Sequence, residues 1–167
     1  MKAWIIFILI VLLGLSIGSS VMLFNTASEP LIERQETAAQ IALTETDLID
    51  VVNVDYYHGR RSFQVVEGVD SNGEGMYVWI EELEKTDEAE NEPQMITRYK
   101  SEGLTKSQVR SIINDELEIK ELNSIRLGII GSTPVYEITY VDLEDRHSFY
   151  YITFQDGSYI RHYQFRR

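Results

Sequence analysis

The feature that most narrows what this chain can fold into is an internal correspondence. Ala38, Ile41 and Ala42 are matched by Val109, Ile112 and Ile113, each 71 positions later. At the same offset Leu48 meets Ile119, Val54 meets Ile125 and Tyr56 meets Leu127. After a one-residue gap the offset becomes 72, and Phe63 meets Val135, Val66 meets Ile138, Asp70 meets Asp142 and Trp79 meets Tyr151. A single gap that keeps one helical and three strand-like segments in phase predicts two tandem units. Each is expected to be one helix packed on a small antiparallel sheet, so the fold class is α+β.

The elements are read from local signals. Ser28-Glu29-Pro30 opens a helix running to Leu48, with Ser28 as cap and Pro30 in its first turn. Val52, Val54 and Tyr56 alternate with polar neighbours. Strands around Phe63–Val69 and Met76–Ile80 follow, separated by turns at His58–Arg61 and Asp70–Gly75. In the second unit Thr105 caps a helix ending near Leu117. Four strands follow, around Ile125–Ile129, Val135–Val141, Phe149–Phe154 and Tyr159–Phe165. The boundaries are therefore 27–99 for the first unit, with an acidic loop at 81–92, and 100–167 for the second. At about 65 residues each, such units bury only about 60% of their unfolded surface, so they are expected to lean on each other or on a partner.

Ahead of both units lies an uncharged run from Ala3 to Phe24, preceded by Lys2. As a helix its 22 residues would reach about 33 Å, enough for a hydrocarbon core of about 30 Å. A cleaved signal peptide is the alternative, with Ser16, Gly18, Ser19 and Ser20 as small residues for cleavage. Apolar character resumes at Val21–Phe24, which favours an uncleaved anchor over residues 1–26. The expected placement is a single-pass chain in the cell membrane, with its N-terminus cytoplasmic and the rest extracytoplasmic.

Charge and composition exclude several chemistries. With 15 Lys+Arg against 27 Asp+Glu the net charge is -12, the opposite of what nucleic-acid binding needs. Cysteine is absent, so no disulfide, thiolate nucleophile or cysteine zinc site exists. Three histidines stand without metal-ligand spacing. No metal, cofactor or catalytic residue is expected.

Individual motifs reinforce this. Ser148 adjoins His147, but neighbours on a strand point to opposite faces. Nothing assembles a triad. His58, Arg60 and Arg61 suggest either a small anion site or an ordinary polar turn, and the second reading is favoured. Asp70-Ser71-Asn72-Gly73-Glu74 imitates the start of a calcium loop, yet Asn-Gly between strands is a hairpin signal.

The strongest surface signal is aromatic, with nine Tyr or Phe among the 34 residues from Pro134 to Arg167. Alternation places Tyr159, Tyr163 and Phe165 on the face opposite Ile160 and His162. One helix covers one sheet face, so this aromatic face either packs on the first unit or forms a protein interface, where Tyr and Arg are enriched. The residues expected to bind a partner are Tyr151, Tyr159, Arg161, Tyr163 and Phe165.

The C-terminal unit resembles PepSY domains in the helix after Gly103-Leu104-Thr105, the strand Pro134–Tyr140 and the closing Tyr150–Gly157. The whole chain resembles the TseB-like cell wall elongation regulators of Gram-positive bacteria. That likeness rests on the apolar N-terminus, the Tyr56-Tyr57-His58-Gly59 turn, the Tyr77-Val78-Trp79 strand and the PepSY-like end. It implies two cystatin-like units, no enzymatic activity, and a class B penicillin-binding protein as partner, with contact to the membrane through the N-terminal helix. Two other functions stay open at this point: a PepSY-type peptidase inhibitor or wall-fragment sensor, and, least favoured, a cell wall hydrolase.

Overall fold

A computed structural model describes residues 31–82 and 93–166. Its contacts divide the chain into residues 1–37 and 38–167. In the first part the described residues are helical, and Thr37 Oγ1 donates to the Glu33 carbonyl at 2.8 Å. The helix α1 covers 31–45.

The second part contains two antiparallel sheets of four strands, each in simple meander order. The first comprises β1 (Leu48–His58), β2 (Ser62–Asp70), β3 (Gly75–Glu82) and β4 (Met95–Tyr99). A 3-10 turn, Lys100–Glu102, leads to α2 (Lys106–Glu116). The second sheet comprises β5 (Ile119–Ile130), β6 (Thr133–Asp142), β7 (His147–Thr153) and β8 (Tyr159–Phe165). Thr105 caps α2, its hydroxyl accepting from the Gln108 N–H while the Gln108 side chain reaches back to the Thr105 N–H.

Central strands show why the sheets associate. Along β2, Phe63, Gln64, Val65 and Val66 are all buried, and along β6 so are Pro134, Val135 and Tyr136. Consecutive burial means that both faces of a strand are covered. One face of the first sheet meets Ala38 and Ala42 through Val66, Met76, Val78 and Ile80. Its other face carries Phe63, Val65 and Trp79, which join Val109, Ile113, Tyr136, Ile138, Ile152 and Phe154 in one hydrophobic core. Phe154 lies edge-on to both Tyr77 and Trp79, with ring centroids 6.0 Å away in each case.

The close approach that joins the sheets is at Gly128. Tyr57 of β1, only 3% exposed, lays its ring over that residue of β5. Any side chain there would occupy the ring's position. Each sheet also turns on a buried aspartate. Asp70 Oδ1 accepts from the Asn72 and Glu74 N–H groups, and Asp142 Oδ1 from those of Glu144 and Arg146. These are Asx-type turns in which the carboxylate stands in for a backbone acceptor.

The expected α+β architecture, a transmembrane helix followed by two cystatin-like or PepSY-like units of one helix on a small sheet, is corrected by these observations. The described chain is mostly strand in two four-stranded sheets, and its helices are short. The physical reason is cover. An 11-residue helix that buries only Val109 and Ile113 cannot hide an aromatic sheet, so the first sheet supplies much of the remainder. The expected anchor, residues 1–26, lies outside the described residues. Among the described residues no helix is long and apolar enough to cross a membrane, and the expected single-pass membrane placement is corrected on that finding.

Candidate functional site

The residues singled out for partner binding gather around β8. Gln155–Ser158 turns the chain back from β7, with Gly157 at φ 74°. Asp156 Oδ1 accepts from the Thr153 hydroxyl and from the Ser158 N–H, which fixes the hairpin. β8 then pairs antiparallel with β7 and forms the edge of its sheet.

The pairing contains a register shift. Tyr151 faces Arg161, but Ile152 faces Tyr159, so Ile160 is an extra residue on β8. The bulge puts Tyr159 on the same side as Ile152 and Tyr150, whose ring centroid is 5.5 Å from that of Tyr159. Arg161, Tyr163 and Phe165 lie on the opposite side with Phe149 and Tyr151. Four of the five expected residues therefore share a face, and Tyr159 stands apart.

On the shared face the side chains form a ladder. The Arg161 guanidinium carbon lies 4.5 Å from the Tyr151 ring centre and 5.3 Å from that of Tyr163. Tyr163 meets Tyr151 edge-on at 6.2 Å and lies 6.5 Å from Phe165, which in turn meets Phe149 at 6.0 Å. Burial falls along the ladder. Tyr151 is 7% exposed, Tyr163 44% and Phe165 57%. Arg161 Nε is buried and has no hydrogen-bond partner among the described residues.

Below the ladder sits Glu137 of β6. Its carboxylate accepts from the Tyr151 hydroxyl at 2.8 Å, and it also holds the Tyr57 hydroxyl. Burial and Glu137 push the Tyr57 phenol up to about 12, and the same two causes raise that of Tyr151. Both phenols are therefore protonated donors throughout the physiological range. Sequence reading passed over Glu137. The available signal was one acid within the apolar run Pro134-Val135-Tyr136-Glu137-Ile138. The bulge at Ile160 leaves no such signal.

Other candidates resolve into structure. Arg61 donates twice to Glu81, at 2.9 and 3.0 Å, and also to the Gln94 side chain, so the turn at His58 is not an open anion site. His58 Nδ1 lies 2.8 Å from the Ser62 hydroxyl. Ser148 is wholly buried opposite Tyr140, with its hydroxyl directed to the Arg146 carbonyl and the Tyr140 phenol. The Asp70 loop is a hairpin whose carboxylate is taken up by backbone N–H groups. Among the described residues no group of three or more His, Cys, Asp or Glu side chains is arranged to hold a metal ion. A cleft of about 760 Å³ lies between Arg98, Glu102, the Ser132–Pro134 turn and the Thr153–Ser158 hairpin. The hydroxyl and carboxylate paired in its lining, Thr153 and Asp156, are the ones that fix the β7–β8 hairpin, Asp156 also accepting from the Ser158 N–H.

Residues 37–81 match the family described as cell wall elongation regulator TseB-like domain. Over 157 residues, 94% of this chain and 89% of the other, it is 29% identical to a protein of Bacillus subtilis (strain 168) named probable cell wall elongation regulator TseB. Among solved structures it is similar to the YpmB protein from Bacillus subtilis. The TM-score is 0.69 at 29% identity, covering 77% of this chain and 95% of that one. The resemblance to TseB-like cell wall elongation regulators read from the sequence is thereby shown.

Proposed function

We propose that this TseB-like chain is a non-enzymatic regulator of cell wall elongation that works by docking a partner protein. The observation that carries the reading is the 29% identity over 94% of the chain to a protein named as such a regulator. The family resemblance supplies the partner, a class B penicillin-binding protein. The geometry supports a docking surface made of Arg161, Tyr163 and Phe165, backed by Tyr151. Two exposed rings beside a stacked guanidinium offer apolar area and directed charge together, as interface hot spots do. Tyr159 is exposed on the other side of the sheet and is assigned no share in this surface.

The test is binding of the full chain to a purified class B penicillin-binding protein. The wild-type chain should bind, and a folded Tyr163→Ala plus Phe165→Ala variant should lose about 2 kcal/mol or more, roughly 30-fold in Kd. Tyr159→Ala should bind as wild type does. No binding by the wild-type chain would overturn the choice of partner. Cleavage of purified wall material by the chain would overturn the non-enzymatic reading.

A further inference from the structure

We infer that β8 takes an extended segment of its partner as a fifth strand, and that this segment sets an acidic side chain opposite Arg161 and apolar side chains opposite Tyr163 and Phe165. The inference deepens the docking function proposed above and rests on it for the partner's identity, though not for the edge itself. It starts from how the four sheet edges are treated. An unpaired edge is a template for another chain, and folded proteins blunt it with charge, proline, bulges, brevity or cover.

Three of the edges are blunted. β1 and β5 lie against each other, each has two register irregularities, and they carry Asp50 and Asp55 or Lys120, Glu121 and Arg126. β4 is five residues long, follows Pro93 and passes at once into the 3-10 turn.

β8 is different. After the bulge at Ile160 the register with β7 runs unbroken from Arg161 to Phe165. This stretch contains no proline, lysine or acid. Beyond β7, no backbone hydrogen bond reaches it from the rest of the described chain. The bulge isolates the regular part of the edge without shielding it.

The chemistry of the edge selects its occupant. From Tyr159 to Arg166 the charged side chains are Arg161 and Arg166, in a chain whose net charge is -12. No ion pair of Arg161 with a carboxylate within 4.0 Å is found among the described residues. Its guanidinium carbon lies within 4.5 and 5.3 Å of two ring centres, so an incoming carboxylate meets a positioned donor. Strand periodicity of two then fixes the pattern: one face of the added strand meets Arg161, Tyr163 and Phe165 in order. The other face meets His162 and Gln164, already bonded to Tyr140 and Asp142. A second copy of the chain is disfavoured by its own charge of -12.

Synthetic nine-residue peptides with glutamate, valine and valine at successive alternate positions and threonine between them, and counterparts with lysine in place of the glutamate, test this on the full chain by amide hydrogen exchange and affinity. The glutamate–valine peptide should protect amides within 161–165 and bind at least about 10-fold tighter than its lysine counterpart. Arg161→Glu should reverse that preference. Phe165→Lys, at an exposed position outside the stacked pair, should weaken the glutamate–valine peptide while leaving the far-ultraviolet spectrum unchanged. Protection elsewhere, no binding of the glutamate–valine peptide, or the same preference in Arg161→Glu would overturn the inference. So would a concentration-dependent dimer through β8. If a penicillin-binding protein fails to bind while the acidic peptide protects β8, the choice of partner falls and the edge stands. If the protein binds wild type and the Arg161→Glu and Phe165→Lys variants alike, the edge falls and the docking function stands.

Discussion

Gly128→Ala is the most direct test of how the two sheets are joined. A Cβ at this position would lie 2.3 Å from Tyr57 Cε2, 2.4 Å from Cζ and 2.8 Å from Cδ2. Carbon atoms settle at about 3.5–4.0 Å, so the ring must retreat by more than about 1 Å. It has nowhere to go, being 3% exposed and bonded to Glu137. Overpacking of this kind costs about 1–3 kcal/mol, and straining the phenol's hydrogen bond adds roughly 1 kcal/mol. The expected loss is about 2–4 kcal/mol, or roughly 5–15 °C in Tm for a chain of this size. Urea titration followed by the fluorescence of Trp79, which is buried in the shared core, would measure it. The decisive comparison is a double-mutant cycle with Tyr57→Ala. That change alone should cost about 3–5 kcal/mol, as large aromatic truncations do. On its background Gly128→Ala should cost nothing, because the methyl group enters space the ring has left. Equal cost of Gly128→Ala on both backgrounds would refute the packing argument.

Glu137→Ala should cost about 1–3 kcal/mol in urea titration, since it strips the acceptor from the Tyr57 and Tyr151 hydroxyls, whereas Glu137→Gln should cost less; equal costs would argue against the hydrogen bonds. Burial alone would raise the Asp142 carboxyl, but the Arg146 N–H and guanidinium outweigh it and hold the group below its usual 3.8. Its stabilisation is therefore present above that value and lost as pH falls through the lowered one, so the wild type should lose stability more steeply below about pH 4 than Asp142→Asn in acid denaturation. Burial, with the Arg146 charge, lowers the His162 imidazole from 6.5 against the opposing pull of Asp142. The folded state binds this proton less readily than the unfolded one, so stability should decline as pH falls from about 6.5 towards the lowered value. NMR titration of His162 at or above 6.5 would contradict this.

The sequence carries strand periodicity well and three-dimensional cover poorly. Alternation around Phe63, Met76, Val135 and Phe149 is a short-range signal, and those strands form where it places them. The buried faces were harder to assign. Nothing in the order of residues states that Trp79 and Phe154, far apart in the chain, share a core. Reading each half as a helix over its own sheet therefore missed how much of the cover is mutual. The candidate surface was legible to the same degree. Period-two spacing correctly groups Arg161, Tyr163 and Phe165, but it also groups Tyr159 with them, because one extra residue at Ile160 leaves no compositional trace. The Tyr57–Glu137–Tyr151 cluster lay beyond reach for another reason. Its members come from three strands of two sheets, and only contact unites them.

The shared core also sets an order of events for the newly made chain. Phe63, Val65 and Trp79 arrive early, while Phe154, which closes over Trp79, arrives near the end. At about 5–20 residues per second the first sheet waits for seconds with an aromatic face uncovered. During that interval its sticky side is the best available surface for a chaperone, or for the half-made sheet of a neighbouring molecule. The chain's heavy negative charge, which keeps such neighbours apart, then matters most before the fold is complete.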